Sequence, residues 1–206
     1  MTTNETLWFR DVHPFRILND MILPELLGGK GGNALRIWSA ASSTGQEAYS
    51  ISMVADEFRR RNPALARASL SIVATDISLR VLEMARTGDY EMLAIGRGLS
   101  AERLEQYFIK SSNGTYRVKP EVQRGVEFRP LNLLDSYASL GKFDVVFCRN
   151  VLIYFATELK RDILARMHAT LKPGGYLILG ASESLNGLPD LFDMVHCSPG
   201  IIYRAK

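Results

Sequence analysis

Short apolar runs recur along the chain, and between them stand segments in which apolar residues recur at helical spacing. Runs of this length, bounded by polar turns, are typical of buried strands. The predicted strands cover residues 35–41, 70–75, 126–131, 143–148 and 176–181. The predicted helices cover residues 14–27, 46–61 and 158–171, with a further helix that Ser78 caps and that carries Val81, Leu82 and Ala85. Strands that alternate with helices predict an α/β fold, with a mostly parallel sheet covered on both faces.

Glycine-rich turns divide this pattern. Gly28, Gly29, Gly31 and Gly32 follow the first helix, and the conformational freedom of glycine makes such a cluster a flexible joint. We therefore predict an N-terminal lead-in and linker helix over residues 1–32 and a main domain over residues 33–206. A second turn, Lys-Pro-Gly-Gly at residues 172–175, is predicted to separate the last helix from the fifth strand.

The alternation of strands and helices breaks down in the middle of the chain. A short predicted helix at residues 100–107 is followed by two β-prone runs, 108–110 and 115–119, which flank Ser111-Ser112-Asn113-Gly114. Asn-Gly between two such runs is the strongest short-range signal for a β-hairpin. We predict a small antiparallel β-subdomain inserted at about residues 100–125.

Composition narrows the class of protein. The chain has 206 residues, of which 47% are hydrophobic and 23% charged, as in one ordinary globular domain. No apolar run approaches the roughly 20 residues that a membrane-spanning helix needs, and the first residues lack a secretory pattern. We expect a cytoplasmic protein that does not insert into a membrane. A net charge of +3 without a concentrated basic stripe argues against a nucleic acid partner.

One basic cluster is the exception to this dispersed charge. Arg59, Arg60, Arg61 and Arg67 stand at and after the end of the second predicted helix. They are either a solvated helix end whose cations complement the negative end of the helix dipole, or a docking patch for an acidic protein surface.

Cysteine and histidine, which are common metal ligands, are scattered along the chain. Cys148 and Cys197 fit no paired metal spacing, so we predict reduced thiols and no metal site. We interpret His13, His168 and His196 as structural residues, because the sequence offers no nucleophile paired with a base.

Polar residues follow several predicted strands, where ligands bind in open α/β sheets. These are residues 42–45, Asp76, Asn132 with Leu133, and Asn150. An acid after the second strand can accept hydrogen bonds from ribose hydroxyls, although Asp76 alone could equally be a helix N-cap or turn residue. No glycine-rich phosphate-binding motif is present. A ribose-binding acid without a phosphate cradle favours a nucleoside cofactor that lacks phosphates, and S-adenosylmethionine is the candidate.

Five segments carry a resemblance to a known family: residues 36–50, 74–77, 132–134, 143–155 and 171–175. In them the chain resembles the CheR-type chemotaxis receptor methyltransferases, from about Asn4 to the C-terminus. The run Cys-Arg-Asn-Val-Leu-Ile-Tyr-Phe at 148–155 is highly specific, whereas Leu-Lys-Pro-Gly-Gly is common to many methyltransferases. The resemblance implies a class I S-adenosylmethionine-dependent methyltransferase fold, Rossmann-like with a mostly parallel seven-stranded sheet and a small inserted antiparallel β-subdomain. It also implies a protein-glutamate O-methyltransferase that esterifies glutamate carboxylates of chemoreceptors in chemotaxis adaptation and leaves S-adenosylhomocysteine as product.

The resemblance assigns cofactor contacts residue by residue. They fall on Asn4, Thr6, Arg10, Glu47, Asp76, Asn132, Leu133, Asn150 and Val151. Arg10 can cover the methionine carboxylate or steer the substrate carboxylate, or it is an exposed cation. Glu47 can also stabilise the helix dipole from the first turn.

Methyl transfer to a carboxylate needs alignment more than proton transfer. A glutamate with a pKa of about 4.3 is ionised at neutral pH, so no strong general base is required. Arg10 and Tyr154 are the predicted catalytic residues, with the Tyr154 hydroxyl orienting the acceptor. The alternative for Tyr154 is an aromatic that packs in the core.

The chain departs from the family pattern in two places. It has Gly-Gln-Glu-Ala-Tyr-Ser at 45–50 where the family usually has Gly-Glu-Glu-Pro-Tyr-Ser, which keeps the second acid as Glu47. The family also carries a helical domain before the lead-in, whereas this sequence starts just ahead of Asn4. Either the sequence is trimmed or the protein finds its substrate differently.

The length of the hairpin loop affects how the protein is expected to recognise its receptor. Family members that bind a tethering pentapeptide at the receptor C-terminus have a longer, glycine-richer hairpin loop than Ser111-Ser112-Asn113-Gly114. We expect a monomer that acts on methyl-accepting chemoreceptors independently of that pentapeptide, through basic residues near the cleft, with Arg59–Arg61 as weaker candidates. The alternatives are a non-catalytic sensor that binds S-adenosylmethionine, or a methyltransferase for another small molecule or protein.

Overall fold

A mostly parallel sheet forms the centre of the computed structural model, which describes residues 6–28, 34–185 and 187–206. The strands within these ranges are β1 Ala34–Ala40, β2 Ser69–Asp76, β3 Asp89–Tyr90, β4 Phe108–Lys110, β5 Tyr116–Val118, β6 Val126–Pro130, β7 Phe143–Cys148, β8 Leu171–Leu179, β9 Phe192–His196 and β10 Ile201–Ala205. The α-helices of the same described residues are α1 His13–Ile17, α2 Leu23–Gly28, α3 Gln46–Arg61, α4 Leu79–Thr87, α5 Met92–Ile95, α6 Ala101–Tyr107, α7 Pro120–Gln123 and α8 Thr157–Thr170. A π-helical segment, Leu18–Ile22, joins α1 to α2.

The large sheet has the order β6-β2-β1-β7-β8-β10-β9. The first five of these strands pair in parallel, while β10 pairs antiparallel with both β8 and β9. From β1 the chain first builds outwards through β2 to β6 and then returns to β7 on the other side. The crevice at the carboxyl ends of β1 and β7 is therefore the switch point at which such sheets bind ligands. This confirms the predicted α/β fold.

Apolar side chains fill both faces of the sheet. On one face Ile37 and Phe147 pack in a core with α3, and on the other face Trp38 and Val146 pack in a core with α8. Both faces are covered, which is why the central strands are apolar without alternation.

The lead-in packs into the first of these cores. The Trp8 ring lies edge-on to Tyr90 and Phe108, with ring centroids 4.9 and 5.2 Å away. Through these aromatic contacts the N-terminal segment packs against the small three-stranded sheet, which has the order β3-β5-β4. The predicted division into residues 1–32 and 33–206 stays a prediction, and the glycines at 29, 31 and 32 lie outside the described residues.

The predicted hairpin is present. β4 pairs antiparallel with β5, Gly114 closes the turn with a φ of 86°, and the Ser111 N–H donates to the Thr115 carbonyl at 2.8 Å. A strand that the sequence did not predict, β3, pairs with the other side of β5. The small sheet thus begins before residue 100.

The predicted turn at 172–175 was wrong, because these residues lie inside β8. The pairing of β8 with β7 is irregular at these residues. Phe143 pairs with Leu171 and Val145 with Tyr176, so two steps along β7 correspond to five steps along β8. A Cβ on Gly175 would lie 2.9 Å from the Asp144 carbonyl oxygen. Glycine is needed there because the bulged strand passes so close to its neighbour.

Within the described residues, none of the helices has the length and apolar character to cross a membrane. Both cysteines carry free thiols, with Cys148 buried in β7 and Cys197 partly exposed.

Candidate functional site

A cavity of about 320 Å³ opens at the carboxyl ends of β1, β2, β6 and β7. It is lined by Thr6, Leu7, Arg10, Ala41, Ser42, Ser43, Glu47, Asp76, Ile77, Leu131, Asn132, Leu133, Leu134, Arg149, Asn150, Val151, Tyr154 and Phe155. The cavity lies where the order of the parallel strands reverses, as the sheet topology predicts for a ligand site.

The cavity brings together nearly all the predicted site residues. Those that line it are Thr6, Arg10, Glu47, Asp76, Asn132, Leu133, Asn150, Val151 and Tyr154. Asn4 lies outside the described residues. The structure therefore places these side chains around one space, while their individual contacts with a ligand stay predictions.

Asp76 ends β2 and organises the loop that follows β1. Its Oδ2 accepts a hydrogen bond from the Ser43 N–H at 2.9 Å, and its Oδ1 accepts from the Ser78 N–H at 2.9 Å. Ser78 in turn caps α4, since its side chain accepts from the Val81 N–H. Asp76 is therefore a turn residue as well as a cavity residue. A carboxylate retains further lone pairs for a ligand when each oxygen accepts one N–H.

Gly45 is the last residue of the same loop and lies very close to α4 and β3. Its φ is 96°, and a Cβ there would lie 3.0 Å from the Ala85 Cβ and 3.2 Å from the Tyr90 hydroxyl. That hydroxyl donates to the Thr44 carbonyl at 2.6 Å. The residue at this position must be glycine because both the backbone angle and the space demand it.

Glu47 belongs to a buried ionic network. Its Oε1 accepts from the Ser39 hydroxyl at 2.7 Å, and its Oε2 pairs with Arg149 Nη1 at 3.1 Å. Arg149 Nη2 also pairs with Asp11 Oδ2 at 2.7 Å and donates to the Arg10 carbonyl at 2.7 Å. One guanidinium thus joins β7 to α3 and to the lead-in, and it fixes the backbone at Arg10.

The loop after β7 carries Asn150, Val151 and Tyr154. Asn150 has a φ of 57°, and residues Leu152–Tyr154 form a 3₁₀ turn. The Tyr154 side chain is half exposed, at 50%, and it lines the cavity mouth. This exposure does not fit the alternative in which Tyr154 packs in the core.

Sequence analysis missed Arg149, Asp11 and Glu183. Arg149 directly precedes Asn150 at the end of an apolar strand, and an arginine at such a position was the available signal. Glu183 accepts hydrogen bonds from the N–H groups of the loop after β7. Nothing in its local sequence marks it.

Histidine and cysteine are not among the described residues that line the cavity. His13 Nδ1 lies 2.8 Å from the Asp11 carbonyl oxygen, and His168 packs edge-on against Phe192. Burial raises the pKa of the Cys148 thiol well above its usual range, with the nearby Glu183 and Glu47 carboxylates as further causes. In the described ranges no group of three potential metal-binding side chains occurs.

The arginine cluster lies away from the cavity. Gln46 begins α3 next to the cavity loop, and the cluster ends this 16-residue helix, about 20–22 Å away at 1.5 Å per residue. Arg59 Nη1 donates to the Ala68 carbonyl at 3.1 Å, and Arg60 pairs with Asp56 at 2.7 Å. The helix carries Arg59–Arg61 away from the cavity loop, so a receptor contact through these residues would lie at a distance from the cleft, and it stays a prediction.

Among the described residues, the cavity contains a buried polar atom without a partner beside a carboxylate. The buried Ser42 hydroxyl oxygen has no hydrogen-bond partner within the described part of the chain, and it lines the cavity beside the Asp76 carboxylate. Buried polar atoms without partners are rare in native proteins. The Ser42 hydroxyl and the Asp76 carboxylate are therefore suited to bind a polar ligand.

Comparisons with known proteins agree with this geometry. A family model described as "CheR methyltransferase, SAM binding domain" matches residues 4–201. Chemotaxis protein methyltransferase 1 of Pseudomonas aeruginosa is 64% identical over 206 residues, which cover 100% of this chain and 75% of that protein. The chemotaxis protein methyltransferase of Escherichia coli is 38% identical over 198 residues, covering 94% of this chain and 65% of that protein. Among solved structures, the DszA carbon methyltransferase matches with a TM-score of 0.50 at 19% identity, over 82% of this chain and 35% of that one. This last likeness concerns the fold alone.

Proposed function

This chain belongs to the CheR methyltransferase family, and from that membership we propose that it methylates glutamate side-chain carboxylates of bacterial chemoreceptors. It is an S-adenosylmethionine-binding methyltransferase of chemotaxis. The receptor as substrate, the glutamate as acceptor and the roles of individual residues are the proposal. The observation that carries it is the cavity in which Asp76, Glu47 and Arg10 surround a space whose mouth bears the half-exposed Tyr154.

The residues of the cavity fit S-adenosylmethionine. The Asp76 carboxylate would accept hydrogen bonds from the ribose hydroxyls, and the unpartnered Ser42 hydroxyl offers a further polar contact. Arg10 would neutralise the methionine carboxylate. Thr6, Glu47, Asn132, Leu133, Asn150 and Val151 complete the set of lining contacts, with Asn4 assigned to it by family resemblance alone. When bound, the cofactor supplies an electrophilic methyl group on a sulfonium.

The protein's own contribution is alignment and exclusion of water. The acceptor glutamate, with a pKa of about 4.3, is already ionised at neutral pH. The Tyr154 hydroxyl donates to one carboxylate oxygen and directs the other towards the cavity. The exposed apolar side chains of Ile77 and Leu134 line the same space. Around a docked receptor helix they displace water from the carboxylate, which raises its reactivity because the opposing charges are no longer solvated.

The test is to incubate the protein with methyl-labelled S-adenosylmethionine and receptor-bearing membranes. We expect label on the receptor that mild base releases as methanol, because a carboxyl ester hydrolyses under those conditions. Label that resists base would mean a different acceptor. Cofactor binding without any transfer would instead favour the sensor alternative. Receptor in which the methylated glutamates are replaced by alanine is the matched control.

We further propose that receptor recognition is independent of a C-terminal pentapeptide and that the protein acts as a monomer. Independence of the pentapeptide is supported by the short turn at Ser111–Gly114 between two strands of three residues each, which leaves little loop to clasp a peptide. The methylation region must then be recognised directly, without the gain in effective concentration that a tether provides. Titration with a receptor C-terminal pentapeptide should give no saturable binding, and a tail-less receptor should still be methylated. Micromolar binding of the peptide would overturn this part of the proposal.

A further inference from the structure

The loop after β7 has no regular backbone pairing of its own, although it carries three of the proposed site residues. Asn150 adopts a left-handed conformation with a φ of 57°, and Val151 has a φ of −126° and a ψ of −32° before the 3₁₀ turn begins. The left-handed region is less favourable than the usual ones for a non-glycine residue, although asparagine tolerates it best. A contact from outside the loop that holds this backbone would therefore stabilise the site.

Glu183 provides that restraint. Its Oε2 accepts from the Asn150 N–H at 2.8 Å, and its Oε1 accepts from the Val151 N–H at 2.9 Å and the Leu152 N–H at 2.8 Å. The Gly180 N–H also donates to Oε2 at 2.8 Å. Three successive backbone donors of the loop thus converge on one carboxylate. Such concave groups of N–H donors bind anions strongly, and hydrogen bonds to an ionised acceptor are about twice as strong as neutral ones.

Gly180 shows how closely the carboxylate is seated. A Cβ at this position would lie 2.6 Å from Glu183 Oε2, 2.9 Å from the Asn150 nitrogen and 3.0 Å from Asn150 Nδ2. The Glu183 N–H donates to the Gly180 carbonyl at 2.9 Å, which closes a turn that aims the side chain at the loop. The close approach at Gly180 belongs to the same contact as the hydrogen bond from the Gly180 N–H, and it leaves no room for a side chain at this position.

We propose that Glu183 is a positioning residue for cofactor binding and methyl transfer, acting through the backbone of residues 150–152. Glu183 does not line the cavity. Its carboxylate fixes the loop so that Asn150 and Val151 face the cofactor and Tyr154 faces the acceptor in advance of binding. Pre-organisation of this kind lowers the ordering cost of both events. The part that concerns Tyr154 rests on the proposed function, whereas the part that concerns the cofactor does not.

Two substitutions disturb the contacts of the Glu183 carboxylate, one at Glu183 itself and one at the neighbouring Gly180. Glu183→Gln keeps the shape of the side chain but replaces one acceptor oxygen by an NH₂ group, which faces N–H donors. Gly180→Ala leaves Glu183 intact and introduces a Cβ into its seat. The matched controls are Glu121→Gln, on an exposed position of α7, and Gly28→Ala, where an added Cβ would have no neighbour within 4 Å.

Three measurements distinguish positioning from general stability. They are amide hydrogen exchange at Val151 and Leu152, calorimetric affinity for S-adenosylhomocysteine, and kcat against KM for receptor methylation. In both variants we expect exchange at these amides to accelerate, and cofactor affinity to fall, about tenfold or more, as loss of charge-assisted hydrogen bonds implies. We expect kcat to fall while KM for the receptor changes little. The double variant should be no worse than Glu183→Gln alone, since both act on one contact.

Several outcomes would overturn the proposal. Exchange and cofactor affinity equal to those of Glu121→Gln would do so, as would losses of the two variants that simply add. If all amides of the protein exchange faster to the same extent, Glu183 is a general stability residue and the proposal is wrong. If the wild-type protein fails to methylate receptors, the proposed function is wrong, but exchange and cofactor affinity still decide the role of Glu183.

Discussion

Removing the Arg149 guanidinium should both destabilise the fold and weaken cofactor binding. The side chain is 2% exposed and pairs with Asp11 and Glu47, whose own side chains are 33% and 14% exposed. It also donates to the Arg10 carbonyl. Arg149→Met fills a similar volume without charge, so it tests the ionic contacts more than the packing.

The magnitude follows from what the substitution leaves behind. Removing one member of a buried ion pair costs about 3–5 kcal/mol, because the remaining charge stays buried without compensation. Without Arg149, the Glu47 carboxylate would remain buried without a compensating charge, whereas the more exposed Asp11 carboxylate can be partly solvated. We therefore expect the free energy of unfolding to fall by about 3 kcal/mol. For a domain of this size 1 kcal/mol shifts Tm by about 2–4 °C, which gives a fall of about 6–12 °C.

The assay is thermal unfolding followed by circular dichroism, together with calorimetry of S-adenosylhomocysteine binding. Arg129→Met is the matched control: Arg129 pairs on the surface with Glu127, two residues away, and such pairs contribute about 0–1 kcal/mol. Arg149→Lys should recover little, because a single ammonium cannot reproduce the planar fork that reaches three acceptors. A Tm for Arg149→Met within 2 °C of the control, with normal cofactor affinity, would contradict this prediction, since a shift of ~2 °C corresponds to at most about 1 kcal/mol here.

The remaining predictions concern single side chains. Asp76→Ala should weaken S-adenosylmethionine binding by roughly 1.5–3 kcal/mol, the range for hydrogen bonds to a charged group; unchanged calorimetric affinity in a folded variant would contradict it. Tyr154→Phe should lower turnover while cofactor affinity and Tm barely change, and full turnover would make the aromatic ring a packing element. Burial raises the pKa of both thiols, so less thiolate is present at a given pH. A thiol reagent at pH 8 should therefore label the partly exposed Cys197 slowly and leave the buried Cys148 unlabelled until the protein unfolds, and mass spectrometry of the labelled peptides checks both.

The central strands were predictable because burial on both faces leaves an uninterrupted apolar run. β7 is buried at five of its six positions, all except Asp144, and its predicted bounds agree with the structure. β10 lies inside the sheet between β8 and β9, but its buried residues Ile202, Tyr203 and Ala205 form neither one long apolar run nor a regular alternation. β9 was missed because it is the edge strand and has only one fully buried residue, Phe192. An edge strand that is mostly exposed has neither an apolar run nor a clean alternation for periodicity to detect.

The residues around the cavity were predictable where the topology of the sheet alone sets their position. Asp76 and Asn150 follow parallel strands, and the carboxyl ends of such strands meet at one edge. Arg149 and Glu183 escaped prediction because their partners are remote in sequence: Arg149 meets Asp11 across 138 positions, and Glu183 meets Asn150 across 33. A contact of that kind is a property of the folded chain, and no local pattern encodes it.

The strained backbone of the described residues explains why these charged groups are needed. Every non-glycine residue with positive φ that the structure describes lies in one of three segments around the cavity: Phe9, Asp11 and Val12; Ala41 and Ser43; and Asn150. Each such residue costs on the order of 1–3 kcal/mol.

Each segment is held by one charged side chain through a backbone group. Arg149 binds the Arg10 carbonyl, Asp76 accepts from the Ser43 N–H, and Glu183 accepts from the Asn150 N–H. The charges of this site thus act largely on the protein's own backbone. That arrangement suits the proposed transfer to an already ionised glutamate, because its barrier would depend on how well the reactants are aligned and desolvated, and fixed cavity residues would lower it without any proton transfer.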